Sequence, residues 1–242
     1  MTEISVLALG DWLERDVSPY LPYASAERRE SVARFRHVSD KSRSLWAELF
    51  ARWRLAEAAG VPPLEVEIAH DGKGKPFWKG GSLFVSLSHS GGYIAVAVGQ
   101  DAVGVDVEKK RNAAPAVAKR WFRPEENALL ETLSEPERTR LFFRLWTMKE
   151  EALKYAGEGL SGGLETVDCL ALMEATRNGG DDALAGRSFA LDGDATVGVV
   201  TRRGELPTEA RIFTLEERAA GVYGGVDFSE RAAILPTEET ER

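Results

Sequence analysis

A mixed α+β fold built from two halves follows from three features of this 242-residue chain. Apolar residues near its start recur with helical spacing, a middle block alternates with the two-residue period of strands, and a second block of helices and then strands follows. A hydrophobic content of 43% supports a sizeable core in one or two compact domains, which excludes a disulfide-stapled module and a fully disordered regulator.

The segment ISVLAL at 4–9 predicts a short strand. Loops then lead into a helical region that starts near Ser25 and ends near Gly60, in which Leu45, Leu49, Trp53 and Ala56 form an apolar stripe. The stripe is expected in the core, with most of the surrounding Arg and Glu side chains in solvent. Pro62 and Pro63 close the segment. LEVEIAH, SLFVSLSHS and YIAVAVG read as strands, with the glycine-rich turn DGKGKPFWKGG between the first two. In DAVGVDVEKKR, Val103, Val105 and Val107 share one strand face while Gly104, Asp106 and Glu108 share the other. Two carboxylates therefore lie together beside a position with no side chain.

A helix is expected around Pro124, and a longer one through ERTRLFFRLWTMKEEALKYAG, packed through Leu145, Met148, Ala152 and Tyr155. ETVDCLAL, SFALDG, ATVGVVT, ARIFTLE and AAGVYGGV then read as strand segments separated by polar or glycine-containing turns. FVSLSHSGGYIAVAVG and ARIFTLEERAAGVYGGV share a strand, turn, strand pattern, which fits an internal duplication but also arises independently in many folds. The preferred boundary lies around Lys110 to Ala116, giving an N-terminal half over 1–112, a C-terminal half over 113–228 and a polar tail over 229–242.

With 31 Lys plus Arg against 39 Asp plus Glu, the formal charge of −8 argues against broad attraction to nucleic acid and leaves room for a local basic pocket. The lone Cys169 cannot form an intrachain disulfide, and Cys169, His37, His70 and His89 are too scattered for a structural zinc site. The start MTEISVLALG lacks the basic prelude of a signal segment, and charges interrupt every apolar run. A soluble, cytoplasmic protein without a membrane anchor is therefore expected.

Asp106 and Glu108 could offer oxygen ligands to one Mg²⁺, although an exposed acidic strand edge would show the same pattern. Glu150 and Lys154 have the i,i+4 spacing that brings them together on a helix face, as ligand and phosphate contact or as an ordinary surface pair. Glu151 is expected at the surface. Lys73 and Lys75 lie among glycines that permit close backbone approach, and His89 could donate to a phosphate or serve a structural role. DGKGKPFW is not a phosphate loop of the G-x-x-x-x-G-K-[ST] type, so kinase or ATPase chemistry has little support. SLSHSGG is not G-x-S-x-G, and Ser88 and His89 point to opposite strand faces, which disfavours a serine hydrolase.

In combination, GKPFW at 74–78, SLSHSGG at 86–92, GVDVEK at 104–109, RWFRPEE at 120–126 and WTMKEEALKYAGEGL at 146–160 resemble the Sfp-type 4′-phosphopantetheinyl transferases. The resemblance implies two similar halves with an active site between them. It also implies transfer of the phosphopantetheine arm of coenzyme A to a serine of an apo acyl or peptidyl carrier protein, releasing adenosine 3′,5′-bisphosphate. By the same resemblance, Asp106, Glu108 and Glu150 would surround Mg²⁺, and Lys149 and Lys154 would lie near the phosphates, with Asp106, Glu150 and Lys154 the catalytic set. Lys73, Gly74, Lys75 and Pro76 would belong to the nucleotide-side loop, Ser88 and His89 to the phosphate side, and Arg28 and Arg43 to the 3′-phosphate contact. Two departures stand out: Ser31 replaces a lysine found in some members, and Glu151 replaces a small residue. A monomer is expected. The alternative is a coenzyme A-responsive protein that binds carriers without turnover.

Overall fold

Strand β1 (Glu3–Ala8) is apolar on both faces because both are covered: Ile4 and Val6 pack toward a second sheet, while Leu7 packs toward helices. It lies near the middle of a seven-stranded sheet in the computed structural model, which describes residues 1–110, 115–158, 163–191 and 195–237. The sheet order is β10 (Val226–Ile234), β9 (Ala210–Glu217), β1, β5 (Tyr93–Gly99), β4 (Phe84–Ser90), β3 (Pro76–Trp78) and β2 (Ile68–His70). Only the β1 and β9 pair is parallel; the other neighbours are antiparallel. A three-stranded antiparallel sheet follows the order β6 (Gly104–Lys109), β8 (Ala195–Arg202) and β7 (Leu184–Leu191). The fold is thus α+β, as expected.

The helical region after Ser25 divides in two, α1 (Ala26–Arg34) and α2 (Val38–Ala59), because Phe35 turns extended at φ −74° and ψ 141°. The Ser25 hydroxyl caps α1 by accepting the Arg28 N–H at 3.1 Å, and Gly60 ends α2 at φ 71°, where a side chain would be strained. Leu45, Leu49 and Ala56 are buried as expected, and half-buried Trp53 stacks on Phe50. The expectation of solvated charges fails for Glu48, Arg52 and Arg54, which are all buried. Arg52 donates to the carbonyls of Tyr23 and Leu64 at 2.7 and 3.1 Å, and Arg54 pairs with the exposed Glu3 and Glu57, so each buried guanidinium is met by acceptors.

In the second half, α3 (Pro115–Trp121) and α4 (Pro124–Glu131) precede the long α5 (Glu135–Ala156), which lies across β6 and β8. Helix α6 (Cys169–Asn178) covers β7. ETVDCLAL is therefore not a strand. The Asp168 carboxylate accepts the Ala171 N–H at 2.9 Å and caps α6, while Cys169, Leu172 and Met173 supply a helical apolar stripe.

Strand pairing crosses the expected division at residue 112, which itself lies outside the described residues. Strand β6 pairs with β8 from the later part of the chain, and β9 returns to β1 with β10 on its outer side. Residues 229–234, expected in a polar tail, continue β10 along β9 from Ser229 opposite Thr214 to Ile234 opposite Ala210. An edge strand exposes much of its surface, so Glu230 and Arg231 are compatible with it. Among the described residues, no helix is long and apolar enough to cross a membrane.

Candidate active site

Valine alternation orients β6: Val103, Val105 and Val107 are buried in the layer between the sheets, so Asp106 and Glu108 turn to the other face. Helix α5 approaches that face closely because Gly104 has no Cβ; one there would collide with the Glu151 carbonyl. Glu150 then meets the two strand carboxylates. One oxygen from each of Asp106, Glu108 and Glu150 lies within 4.8 Å of the others, a spacing that one metal ion could bridge.

Asp106 is 1% exposed, and its two oxygens differ. Oδ1 accepts the Ser88 hydroxyl and the Lys154 ammonium, each at 2.6 Å, whereas Oδ2 is buried without a hydrogen-bond partner. Such an orphaned oxygen is costly unless a ligand meets it, and the place of Asp106 in an acidic triad fits a hard divalent cation. Lys154 also donates to the Val105 carbonyl at 2.9 Å, and Ser90 donates to Glu108 at 2.9 Å. Burial, and next the Asp106 charge, push the Glu150 carboxyl up to about 8, with Lys154 opposing the shift.

Several of the remaining expected residues line two cavities that share His70 and Gly74. Lys73, Gly74, Lys75, Pro76, Lys154 and Gly157 line one of about 190 Å³. Asp71 organises this loop by accepting the backbone N–H groups of Lys73 and Lys75 at 2.8 and 2.9 Å, while Lys75 Nζ donates to the Tyr155 carbonyl at 2.7 Å. Gly74 also borders the second cavity, of about 330 Å³, with Arg28, Ser31 and Glu48. Arg28 is held by Glu48 and Ser44, and Arg43 donates to the Gly91 carbonyl in the β4–β5 turn. His89 keeps an exposed edge, yet desolvation holds its imidazole below the ordinary range, with the charges of Arg43, Lys154 and Arg28 adding to the effect. These cations surround one polar region.

Two side chains depart from expectation. Lys149 is fully buried, pairs with Glu126 at 2.8 Å and donates to the Val167 carbonyl at 2.7 Å, so it does not line the acidic cluster. Its Glu126 partner was missed in the sequence, although RPEE marks a helix start. Glu126 Oε2 accepts the Arg123 N–H at 2.9 Å, and its other oxygen accepts the Cys169 N–H at 2.9 Å. Glu151, expected at the surface, is also fully buried, with both carboxylate oxygens unpartnered, and burial pushes its carboxyl well above the usual range. Gly198 on β8 makes the space: a Cβ there would strike the Glu151 carboxylate. Ser86 and Ser90, on the same side of β4 as Ser88, were given no role at the site by the sequence.

Comparison of the sequence with known proteins gives the family. Residues 102–182 match the 4′-phosphopantetheinyl transferase superfamily, and residues 14–101 match the N-terminal region of 4′-phosphopantetheinyl transferase. The chain is 36% identical over 138 residues to a 4′-phosphopantetheinyl transferase of Bacillus subtilis, covering 57% of this chain and 62% of that protein. It is 32% identical over 153 residues to 4′-phosphopantetheinyl transferase psf-1 of Bacillus pumilus, covering 63% and 66%, and 28% identical over 158 residues to Sfp of Bacillus subtilis strain 168, covering 63% and 70%. The matched stretch thus spans slightly less than two thirds of the first two relatives. With two successive family matches running from residue 14 to residue 182, this chain belongs to the 4′-phosphopantetheinyl transferase superfamily.

Proposed function

We propose that the chain transfers the 4′-phosphopantetheine arm of coenzyme A to a serine hydroxyl of an apo acyl or peptidyl carrier protein, releasing adenosine 3′,5′-bisphosphate. The observation that carries this reading is the meeting of Asp106, Glu108 and Glu150 beside Lys154, with Asp106 Oδ2 buried and unpartnered. Mg²⁺ suits this set of oxygen donors and, when bound, would stabilise charge on the pyrophosphate oxygens.

The protein groups divide the remaining work. Lys154, anchored by Asp106 and the Val105 carbonyl, presents its ammonium to the substrate phosphates. The Lys73 to Pro76 loop receives the nucleotide side, while Arg28, Arg43 and His89 supply positive or hydrogen-bonding groups for the 3′-phosphate. Glu150 holds a proton more tightly than an ordinary carboxylate before cation binding, and it is the group assigned to receive the serine proton directly or through water. The serine oxygen forms a bond to the phosphorus carrying pantetheine, and the bond from that phosphorus to the oxygen of the adenosine-side phosphate breaks. No covalent enzyme intermediate is needed.

Carrier proteins are commonly acidic, so an enzyme of formal charge −8 would recognise them through a local basic patch rather than its net field. The proposed protein acts as a cytoplasmic monomer. Intact-mass measurements on folded apo acyl and peptidyl carriers test the reaction, using the chain, coenzyme A and Mg²⁺ with enzyme-free and chelator controls. A gain of one phosphopantetheine that requires enzyme and metal is expected. A gain of phosphate alone, or no gain across the carrier panel, rejects the activity.

A further inference from the structure

Strands β4 and β6 run side by side in different sheets, and no ladder of paired strands joins them. Serine side chains make the connection instead. Ser86, Ser88 and Ser90 alternate along β4 and face β6. Ser86 Oγ accepts the Val105 N–H at 3.0 Å, and Ser90 Oγ accepts the Lys109 N–H at 3.2 Å, each across the same separation of 19 residues. This repeated offset fixes the register of the two strands. Between these anchors, Ser88 donates to Asp106 at 2.6 Å; at the far end, Ser90 donates to Glu108 at 2.9 Å.

We propose that Ser88 and Ser90 are positioning residues that orient the Asp106 and Glu108 carboxylates for a divalent cation, while Ser86 fixes strand register alone. The hydroxyl chemistry distinguishes the three. Ser90 has one proton, which it gives to Glu108 while its lone pair receives the Lys109 N–H, so one side chain ties a carboxylate to its own strand's backbone. Ser88 and Lys154 both engage Asp106 Oδ1, which holds the carboxylate through one oxygen and leaves Oδ2 without a hydrogen-bond partner. Without Ser88, Lys154 alone would hold that carboxylate. Ser86 receives a backbone N–H rather than engaging a ligand carboxylate, making it an internal comparison.

This inference rests on the proposed metal site but concerns binding geometry, so its test separates from that of turnover. Mn²⁺ is titrated against the full chain and its variants, with the free-ion electron paramagnetic resonance signal reporting affinity in the absence of coenzyme A. Ser88→Ala and Ser90→Ala are each expected to weaken Mn²⁺ binding about tenfold, the scale of losing an outer-shell partner of a metal ligand. Ser88→Thr retains the hydroxyl and is expected to recover most of the affinity. Ser86→Ala is expected to lower thermal stability like the other alanine variants without the Mn²⁺ loss. Equal Mn²⁺ affinity in wild type and Ser88→Ala overturns the proposal, as does an equal loss in Ser86→Ala or failure of wild type to bind Mn²⁺. Phosphopantetheine transfer by wild type, scored separately by carrier mass, shows whether the enzyme reading stands when this positioning proposal fails.

Discussion

Along α5, Glu150 and Lys154 face the acidic cluster on β6, whereas Lys149 and Glu151, immediately before and after Glu150 in sequence, have no solvent exposure and lie in different surroundings. A helix turns by about 100° per residue, so consecutive charges point in separate directions while residues four apart nearly coincide. Lys149 reaches α4, Glu151 presses against β8, and only the four-residue pair meets the strand carboxylates. The cluster WTMKEEALK thus contains two structural charges and two facing the candidate site. Sequence proximity alone does not give them a common role.

The sharpest way to break this division is to neutralise each side. Glu150→Gln removes a negative donor from the acidic cluster and is expected to reduce carrier phosphopantetheinylation on the order of a thousandfold, with a cooperative melt retained. Transfer at the wild-type rate by folded Glu150→Gln would remove Glu150 from the proposed machinery. A separate comparison concerns stability: Lys149→Met leaves Glu126 buried without its cation and is expected to cost about 3–5 kcal/mol, measured by denaturant unfolding. Glu126→Gln in that background should restore part of the loss, because the uncompensated charge is gone. A Lys149→Met protein with wild-type stability would show that this pair is not the structural anchor described by its burial and contacts.

The different environments explain why the sequence was readable for some elements and opaque for others. Alternating valines made β6 and the shared face of Asp106 and Glu108 legible, and the i,i+4 rule brought Glu150 toward Lys154. The packing of Lys149 depends on Glu126 and Val167, while that of Glu151 depends on Gly104 and Gly198; none of these long-range contacts is contained in helical spacing. Helix α6 was obscured because Asp168 acted as a cap within a short segment that also resembled a strand. Strand β10 was hidden by the polar surface of an edge strand, although its register continues to Ile234. The serine bridge was missed because SLSHSGG suggested phosphate contacts more readily than a connection between strands.

A finer comparison pairs the unusual Glu151 with Gly198, using packing rather than catalysis as the readout. The carboxylate occupies the place toward which a Cβ at 198 would project, so Gly198→Ala forces the buried Glu151 side chain to shift. This overpacking is expected to cost about 2 kcal/mol in a denaturant titration. Glu151→Ala should then stabilise the Gly198→Ala background by at least about 1 kcal/mol relative to its effect in wild type, since it removes the colliding carboxylate. Strict additivity of the two substitutions would break the proposed steric pairing. Strong coupling in stability would instead sharpen the division along α5, separating how the helix packs through Glu151 from how Glu150 presents its carboxylate to the site.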